Sequence, residues 1–477
     1  MFYQLAPQYL LRGWEKLPTG VVDTRTGKTL FTNNETMKVL KLCDGKIDFS
    51  LPLVDEKYRE IAAALCEKNI VLPCEKPRAI LPVQEYRSFA NRYISMAHWS
   101  ITGRCNYRCK HCYMSAGDAK YGELSHEAIM KIIDELADCG IYTVSLTGGE
   151  PLVRPDFWEI VDALRERNIC IETIYSNGFL VNEKLLQGLR DRGLDPEFNM
   201  SFDGTEGWHD WLRGVPGATA HIDRAFELCR EYGFSTAAEM CLHERNKHVL
   251  RDSINHLAAM GCRELKTNPV SDEGAWHDNG YGQSISTEDL YDLYLNYIPQ
   301  YYQDGKPLRL LLGGFFSAEP GSDRYFIPAV KGGCTDMDKA TLCGHARNVM
   351  YISPEGRALP CFSLCGLDIQ KEYPLIPEKG LRYCLTDSSY MKLIEAPASK
   401  VLNHNERCIS CEYAAACRGG CRACALETTP DDIFGIDEST CRIFKGGYIE
   451  KIMDTVAKAA PEAFCGSFPT AETEVGG

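Results

Sequence analysis

Between residues 97 and 315, runs rich in β-branched and aromatic residues alternate six times with amphipathic stretches. The runs are HWSIT, YTVSLTGG, IETIYSNG, EFNMSFDG, STAAEMCL and ELKTNPV. Between the first two, SHEAIMKIIDELADCG puts Ile129, Ile132, Ile133 and Leu136 on one helical face and stops at Gly140. PDFWEIVDALRERN and NEKLLQGLRDRG repeat that plan. Strands joined in turn by helices require a parallel sheet covered by those helices. The prediction is an α/β fold, a partial (β/α)6 TIM-like barrel over 97–315. In such barrels reactive side chains gather at the C-terminal ends of the strands.

The flanks read differently. Over residues 1–80, YLLRGW, GVVDTR and KTLFTN predict three short strands. NNETMKVLKLCDG then predicts a helix, with Asn33 or Asn34 as its cap and Gly45 closing it. DEKYREIAAALCEKNIV predicts a second helix, with Tyr58, Ile61 and Leu65 at helical spacing. Together they suggest an N-terminal winged-helix-like domain. LPCEKPRAILP, 72–82, with three prolines, reads as a linker. From about 316 to 450 the alternation gives way to loops and cysteines, and 461–477 reads as a polar, flexible tail.

Cysteine usage narrows the chemistry. The chain has 23 cysteines in 477 residues. No secretory signal is read at the N-terminus, so the cytoplasm is expected, where this many thiols point to metal or redox chemistry rather than disulfides. No apolar run approaches the roughly 18 residues that would suggest a membrane span. A net charge of −14 argues against a nucleic-acid binder and suits a partner with basic stretches.

CNYRCKHC, 105–112, follows the first barrel strand directly. Cys105, Cys109 and Cys112 have the spacing C-x3-C-x2-C, three thiols without a fourth. Four ligands make a closed structural zinc site, whereas three leave a coordination position open for chemistry. A zinc knuckle with a distant fourth ligand is one reading. A [4Fe–4S] cluster with one iron free to chelate the amino and carboxylate groups of S-adenosylmethionine (SAM) is the other. Three polar turns end the next three strands. TGGEPL carries Gly148 and Gly149, which allow close backbone approach to a ligand, and Glu150, suited to an ammonium group. YSNG carries Ser176 and Asn177. SFDG carries Ser201 and is followed by Arg213, suited to a carboxylate.

The triplet followed by GGE resembles the radical SAM superfamily, over about 97–315. The resemblance implies that Cys105, Cys109 and Cys112 hold the SAM-binding cluster. It implies that Gly148, Gly149 and Glu150 hold the methionine amino group, with Ser176 and Asn177 in the same cofactor site. Ser201 and Arg213 would contact SAM's polar groups. His111 stands where the family usually has an aromatic residue beside adenine.

A second set of cysteines follows. Cys343 and Cys361 fit C-x12-G-x4-C, with Gly356 as the glycine, and Cys408, Cys411, Cys417 and Cys421 fit C-x2-C-x5-C-x3-C, with Cys441 beyond. The seven positions resemble the SPASM extension of radical SAM enzymes, here a C-terminal Cys-rich domain over 316–460. Paired zinc ribbons are the alternative. The resemblance implies two auxiliary clusters, one on Cys343, Cys361 and Cys421, the other on Cys408, Cys411, Cys417 and Cys441. Cys334 is the nearest upstream candidate to complete the first. With the SAM cluster this makes three [4Fe–4S] clusters. Cys365 and Cys424 lie in the same region, whereas Cys139, Cys170, Cys229 and Cys262 read as core packing.

LRGW…GVVDT in the N-terminal unit resembles the recognition element of enzymes that modify ribosomally made peptides, which captures a leader as an added strand. A plain structural cap is the alternative. The expected function is a radical SAM peptide maturase that takes hydrogen from a precursor peptide with its leader and forms a crosslink, a thioether first of all. Its expected partner besides the peptide is an electron donor such as flavodoxin or ferredoxin. Carbon–carbon crosslinking, epimerisation and sulfatase-type formylglycine formation are the enzymatic alternatives. Phe362 counts against the last, because those enzymes resemble each other in an Asp at that position. A zinc-rich peptide-binding scaffold is the non-enzymatic one.

Overall fold

The structure, a computed structural model, describes residues 1–281, 284–328 and 336–466. Cys334 lies outside them.

The N-terminal part holds β1 (Phe2–Leu5), β2 (Tyr9–Trp14), β3 (Gly20–Asp23), β4 (Thr29–Phe31), α1 (Asn34–Leu42), β5 (Asp44–Asp48), α2 (Glu56–Glu67), β6 (Val71–Cys74) and β7 (Arg87–Phe89). β2, β3 and β4 are the three expected strands. Together with β7 they form one sheet, ordered β4-β3-β2-β7, with β4 at an edge. A second sheet, β5-β1-β6, was not read from the sequence. Asn33 caps α1, its Oδ1 accepting from Thr36 N at 2.8 Å. Gly45 does not close that helix. α1 ends at Leu42, and Gly45 sits in β5 at φ +76°, where an added Cβ would lie 1.7 Å from the Arg78 carbonyl oxygen. That contact also corrects the linker reading. β6 pairs with β1, and Arg78 N donates to Gly45 O at 2.9 Å, so 72–82 begins as a strand and is then held against β5. Leu5, Leu11, Val21, Val39, Leu40 and Val71 form this part's own core.

The barrel follows as β8 (Met96–Thr102), α3 (His126–Asp138), β9 (Thr143–Gly148), α4 (Phe157–Glu166), β10 (Cys170–Ser176), α5 (Glu183–Asp191), β11 (Glu197–Ser201), α6 (Trp208–Arg213), α7 (Ala218–Glu231), β12 (Thr236–Leu242), α8 (Leu250–Ala259), β13 (Glu264–Pro269), α9 (Gly274–Asp278), α10 (Thr287–Gln303) and β14 (Arg309–Leu312). β8 to β14 are parallel neighbours in chain order. The six expected strands are β8–β13. β14 is a seventh, missed because RLLL is short and its three leucines after Arg309 carry no alternation. Ile129, Ile132, Ile133 and Leu136 of α3 are all buried. Each such side chain contributes about 1.5–3 kcal/mol by leaving water.

Beyond 315 the chain extends this sheet rather than dissolving into loops, which corrects the sequence reading. The hairpin β15 (Phe316–Ala318) and β16 (Arg324–Phe326) continues from β14, and β17 (Val349–Ile352) pairs in parallel with β8, with β18 (Ala358–Leu359) outside it. The stretch read as a flexible tail contributes β19 (Phe464–Cys465), which pairs with β16. The twelve-stranded sheet therefore joins the barrel to the cysteine-rich segment at both edges, and one apolar core runs through both. The N-terminal part docks at the opposite end of the barrel from the cysteine loop. Thr143, the first residue of β9, donates to Gly27 O at 3.2 Å, and Trp14 Nε1 donates to Gly140 O at 3.1 Å. No helix among the described residues is long and apolar enough to cross a membrane.

Candidate active site

The loop after β8 is pinned at both ends. Gly149 N donates to Thr102 O and Glu150 N to Arg104 O, each at 2.9 Å, so the GGE turn after β9 lies directly on the start of the cysteine loop. Lys110 N donates to Leu212 O at 2.8 Å, and Ala275 N donates to Cys112 O at 3.0 Å. The two glycines serve this contact. A Cβ on Gly148 would lie 2.3 Å from Thr102 O, and one on Gly149 2.2 Å from Arg104 O. The sequence reading gave both to ligand approach; in the structure their missing side chains make room for backbone of the cysteine loop.

Each of the three sulfurs meets a donor. Tyr107 N reaches Cys105 Sγ at 3.3 Å and Ala116 N reaches Cys112 Sγ at 3.4 Å. Asn177 Nδ2 lies 3.8 Å from Cys105 Sγ, and Arg213 Nη1 lies 3.7 Å from Cys109 Sγ. Burial pushes the Cys105 thiol up to about 12 and raises Cys109 as well, against the pull of Arg213. Uncompensated, the Cys105 and Cys109 thiols stay protonated. A bound metal removes those protons, and N–H donors then favour the thiolate. The donor set therefore fits an iron–sulfur group.

Glu150 is buried at the same mouth, 1% exposed. Its carboxylate accepts from Asn177 N at 2.8 Å, Leu152 N at 3.2 Å and Ser176 Oγ at 3.1 and 3.2 Å. Burial raises it to about 7, against those hydrogen bonds. An arriving ammonium group would relieve this cost. Asn177 also donates to Asn106 Oδ1 at 2.7 Å, so the YSNG turn holds both Glu150 and the cysteine loop.

Arg213 and His111 stand in a knot that the sequence did not reveal. Arg213 Nε donates to Asp203 Oδ2 at 2.6 Å, and Asp203 Oδ1 accepts from Cys241 N at 3.1 Å. Burial alone would raise the Asp203 carboxyl. Arg213 and the His209 and His111 rings overcome it and hold it well below the usual carboxylate range. His111 Nδ1 is buried without a partner, and the ring lies against Asp203 and Cys241, their ligand atoms all within 4.8 Å of one another. Burial pushes His111 down to about 3, so it is neutral. Arg213 is thus already paired with an internal carboxylate. Ser201, half-buried at the end of β11, sits in register with Glu239 of β12. The signal for Asp203 was present in the SFDG turn, but nothing local shows that Arg213 returns to it.

The C-terminal cysteines fall into two groups. Cys408, Cys411, Cys417 and Cys441 line one pocket with Val401, Leu402, Tyr413, Ile436 and Phe444. Its empty space is about 490 Å³, including the part open to solvent. Cys361, raised by burial, also feels the thiols of Cys421 and Cys343. Asp437 links the groups. It accepts from Cys421 N at 2.7 Å and caps the helix Glu438–Lys445 that carries Cys441, accepting from Thr440 N at 2.9 Å. None of the described cysteines is in a disulfide.

A parallel barrel whose first strand delivers three donor-satisfied cysteines to its mouth is the radical SAM arrangement. Residues 99–257 match the family described as the Radical SAM superfamily, and this barrel belongs to it. Mycofactocin maturase MftC of Mycobacterium ulcerans (strain Agy99) is 27% identical over 69% of this chain and 83% of its own. PqqA peptide cyclase of Granulibacter bethesdensis is 25% identical over 76% of this chain and 91% of its own. The crystal structure of Streptococcus suis SuiB bound to precursor peptide SuiA shares the fold, with TM-score 0.62 and 14% identity over 92% of this chain and 100% of that one.

Proposed function

We propose that this protein is a radical SAM peptide maturase that crosslinks a ribosomally made precursor, with a thioether as its product. The observation that carries this is the cysteine loop tied through Gly149 and Glu150 to a buried carboxylate at the barrel mouth. Cys105, Cys109 and Cys112 would hold a [4Fe–4S] cluster and Glu150 the amino group of SAM. When bound, these groups would supply radical chemistry that removes one hydrogen atom from the peptide; the thiol proton would leave to solvent and the remaining electron to an auxiliary cluster as the C–S bond forms. The chain's own part is positional. Ser176 and Asn177 fix the Glu150 carboxylate, Arg213 and Asn177 steady the ligating sulfurs, and the barrel wall excludes water. Cys408, Cys411, Cys417 and Cys441 would hold a closed auxiliary cluster, and Cys343, Cys361 and Cys421 most of another. β4 is an edge strand on which a leader peptide can add a strand. Two relatives, one named a maturase and the other a peptide cyclase, support the reading, as does the shared fold of a structure with a precursor peptide bound. A flavodoxin- or ferredoxin-type donor would deliver the electrons.

The test is turnover of the anaerobically reconstituted, reduced protein with SAM and each short peptide encoded beside its gene. The expected product is lighter by two hydrogens and resists alkylation at one cysteine, and 5′-deoxyadenosine accumulates. Unshifted mass with deuterium taken from solvent would establish epimerisation instead. Loss of two hydrogens with every cysteine still alkylatable would establish a carbon–carbon bond.

A further inference from the structure

We propose that Cys424 is the fourth protein ligand of the first auxiliary iron–sulfur site, beside Cys343, Cys361 and Cys421. The proposal rests on the reading of those three as cluster ligands. Cys421 caps the helix Arg422–Thr428, and Cys424 lies one turn in. That i, i+3 spacing stacks the two side chains on one helix face. Their thiols hydrogen-bond each other, and the thiols of Cys421 and Cys343 both act on Cys361. Cys421 thus neighbours Cys424 on its own helix and acts, with Cys343, on Cys361. The helix carrying two of them is fixed. Arg422 Nη1 donates to Gly435 O at 2.9 Å and to Ile433 O at 3.1 Å, and Cys421 N donates to Asp437.

Among the described residues, the other surplus thiol nearby is committed elsewhere. Cys365 is 1% exposed and hydrogen-bonds the Tyr351 hydroxyl, which in turn holds Ser100 Oγ at 2.7 Å. Cys417 belongs to the pocket with Cys408, Cys411 and Cys441. Four cysteine thiolates make the complete shell of a [4Fe–4S] cluster. A complete shell leaves no iron position for a substrate thiolate, so a substrate sulfur would react free in the barrel rather than as a ligand of this site.

The experiment compares Cys424→Ala, Cys424→Ser, Cys365→Ala and Cys334→Ala in the full chain. All carry Cys105→Ala, Cys109→Ala and Cys112→Ala as well, so that the open SAM-cluster iron does not report. Each is reconstituted anaerobically, assayed for iron and sulfide, and examined by electron paramagnetic resonance with and without cyanide. The parent, Cys365→Ala and Cys334→Ala should keep their iron and show no cyanide shift. Cys424→Ala should either lose about four irons or gain a cyanide-sensitive signal. Cys424→Ser, which keeps volume and hydrogen bonding, should give an altered auxiliary signal at unchanged secondary structure. A parent that already responds to cyanide, a Cys424→Ala protein indistinguishable from it, or a Cys334→Ala protein that alone gains the response would overturn the proposal. Full iron in a Cys343→Ala, Cys361→Ala protein would instead overturn the underlying cluster reading.

Discussion

At the barrel mouth, sulfur meets hydrogen-bond donors: Tyr107 N, Ala116 N, Asn177 and Arg213, with the Glu150 carboxylate close by. The Cys408–Cys441 pocket is lined by Val401, Leu402, Tyr413, Ile436 and Phe444, with Arg407, Asp437 and Lys445 also on its wall, and Arg407 Nη2 lies 3.8 Å from Cys441 Sγ. The first has three thiols and a polar surround that accommodates a charged ligand. The second has four thiols in a wall that is largely apolar, with its charged side chains Arg407, Asp437 and Lys445 beside them. On the proposed reading, the difference in ligand number would separate a site that binds a ligand at an open position from one whose cluster is closed.

Removing each site in turn should break the comparison most sharply. Replacing Cys105, Cys109 and Cys112 with Ala is expected to abolish 5′-deoxyadenosine formation and to lower iron from about twelve to about eight per chain, read by anaerobic iron analysis. Replacing Cys408 and Cys411 with Ala is expected to do the reverse. SAM cleavage should persist while crosslinked peptide is lost, which product chromatography and mass spectrometry would distinguish.

Charge burial separates the sites at the next level. Asp203→Asn leaves the Arg213 cation in the interior with no carboxylate, and breaking such a pair costs about 3–5 kcal/mol. The melting temperature should fall clearly. The corresponding change at the other site, Glu438→Gln, releases Arg407, whose side chain is 54% exposed. It should cost less than about 1 kcal/mol. Equal shifts would mean that the Asp203 knot is not the buried anchor its geometry indicates.

The smallest effect is a pH dependence. Glu150→Gln should weaken SAM binding about 10- to 100-fold, the cost of a hydrogen bond to a charged group. In the folded chain Glu150 titrates near 7 rather than at its ordinary 4.5, because of burial. The ligand-free chain therefore gains from its protonated form. That contribution is fully present below about pH 4.5 and is lost as pH rises through about 7. An ammonium ligand needs the carboxylate, so the thermal shift given by SAM should grow between pH 6 and 8 and stay flat in Glu150→Gln. The auxiliary sites, which receive no such ligand, should contribute no matching trend.

Much of this was legible in the chain alone. The C-x3-C-x2-C spacing, the GGE turn and the Ile129–Leu136 face of α3 are local patterns, and local geometry places each on its own element. The regular alternation located six barrel strands for the same reason. Only the tertiary structure decided the rest. β17 comes to lie beside β8, β14 and β19 extend the sheet, Gly149 makes room for the Arg104 backbone, and Arg213 turns back to Asp203. Cys417 and Cys421 are four residues apart, yet Cys417 joins Cys408, Cys411 and Cys441 while Cys421 turns toward Cys343 and Cys361. Spacing along a chain determines which side of its own strand or helix a residue occupies. Which distant segment meets that side depends on non-local packing, and short strands and single glycines carry too little periodicity to announce it.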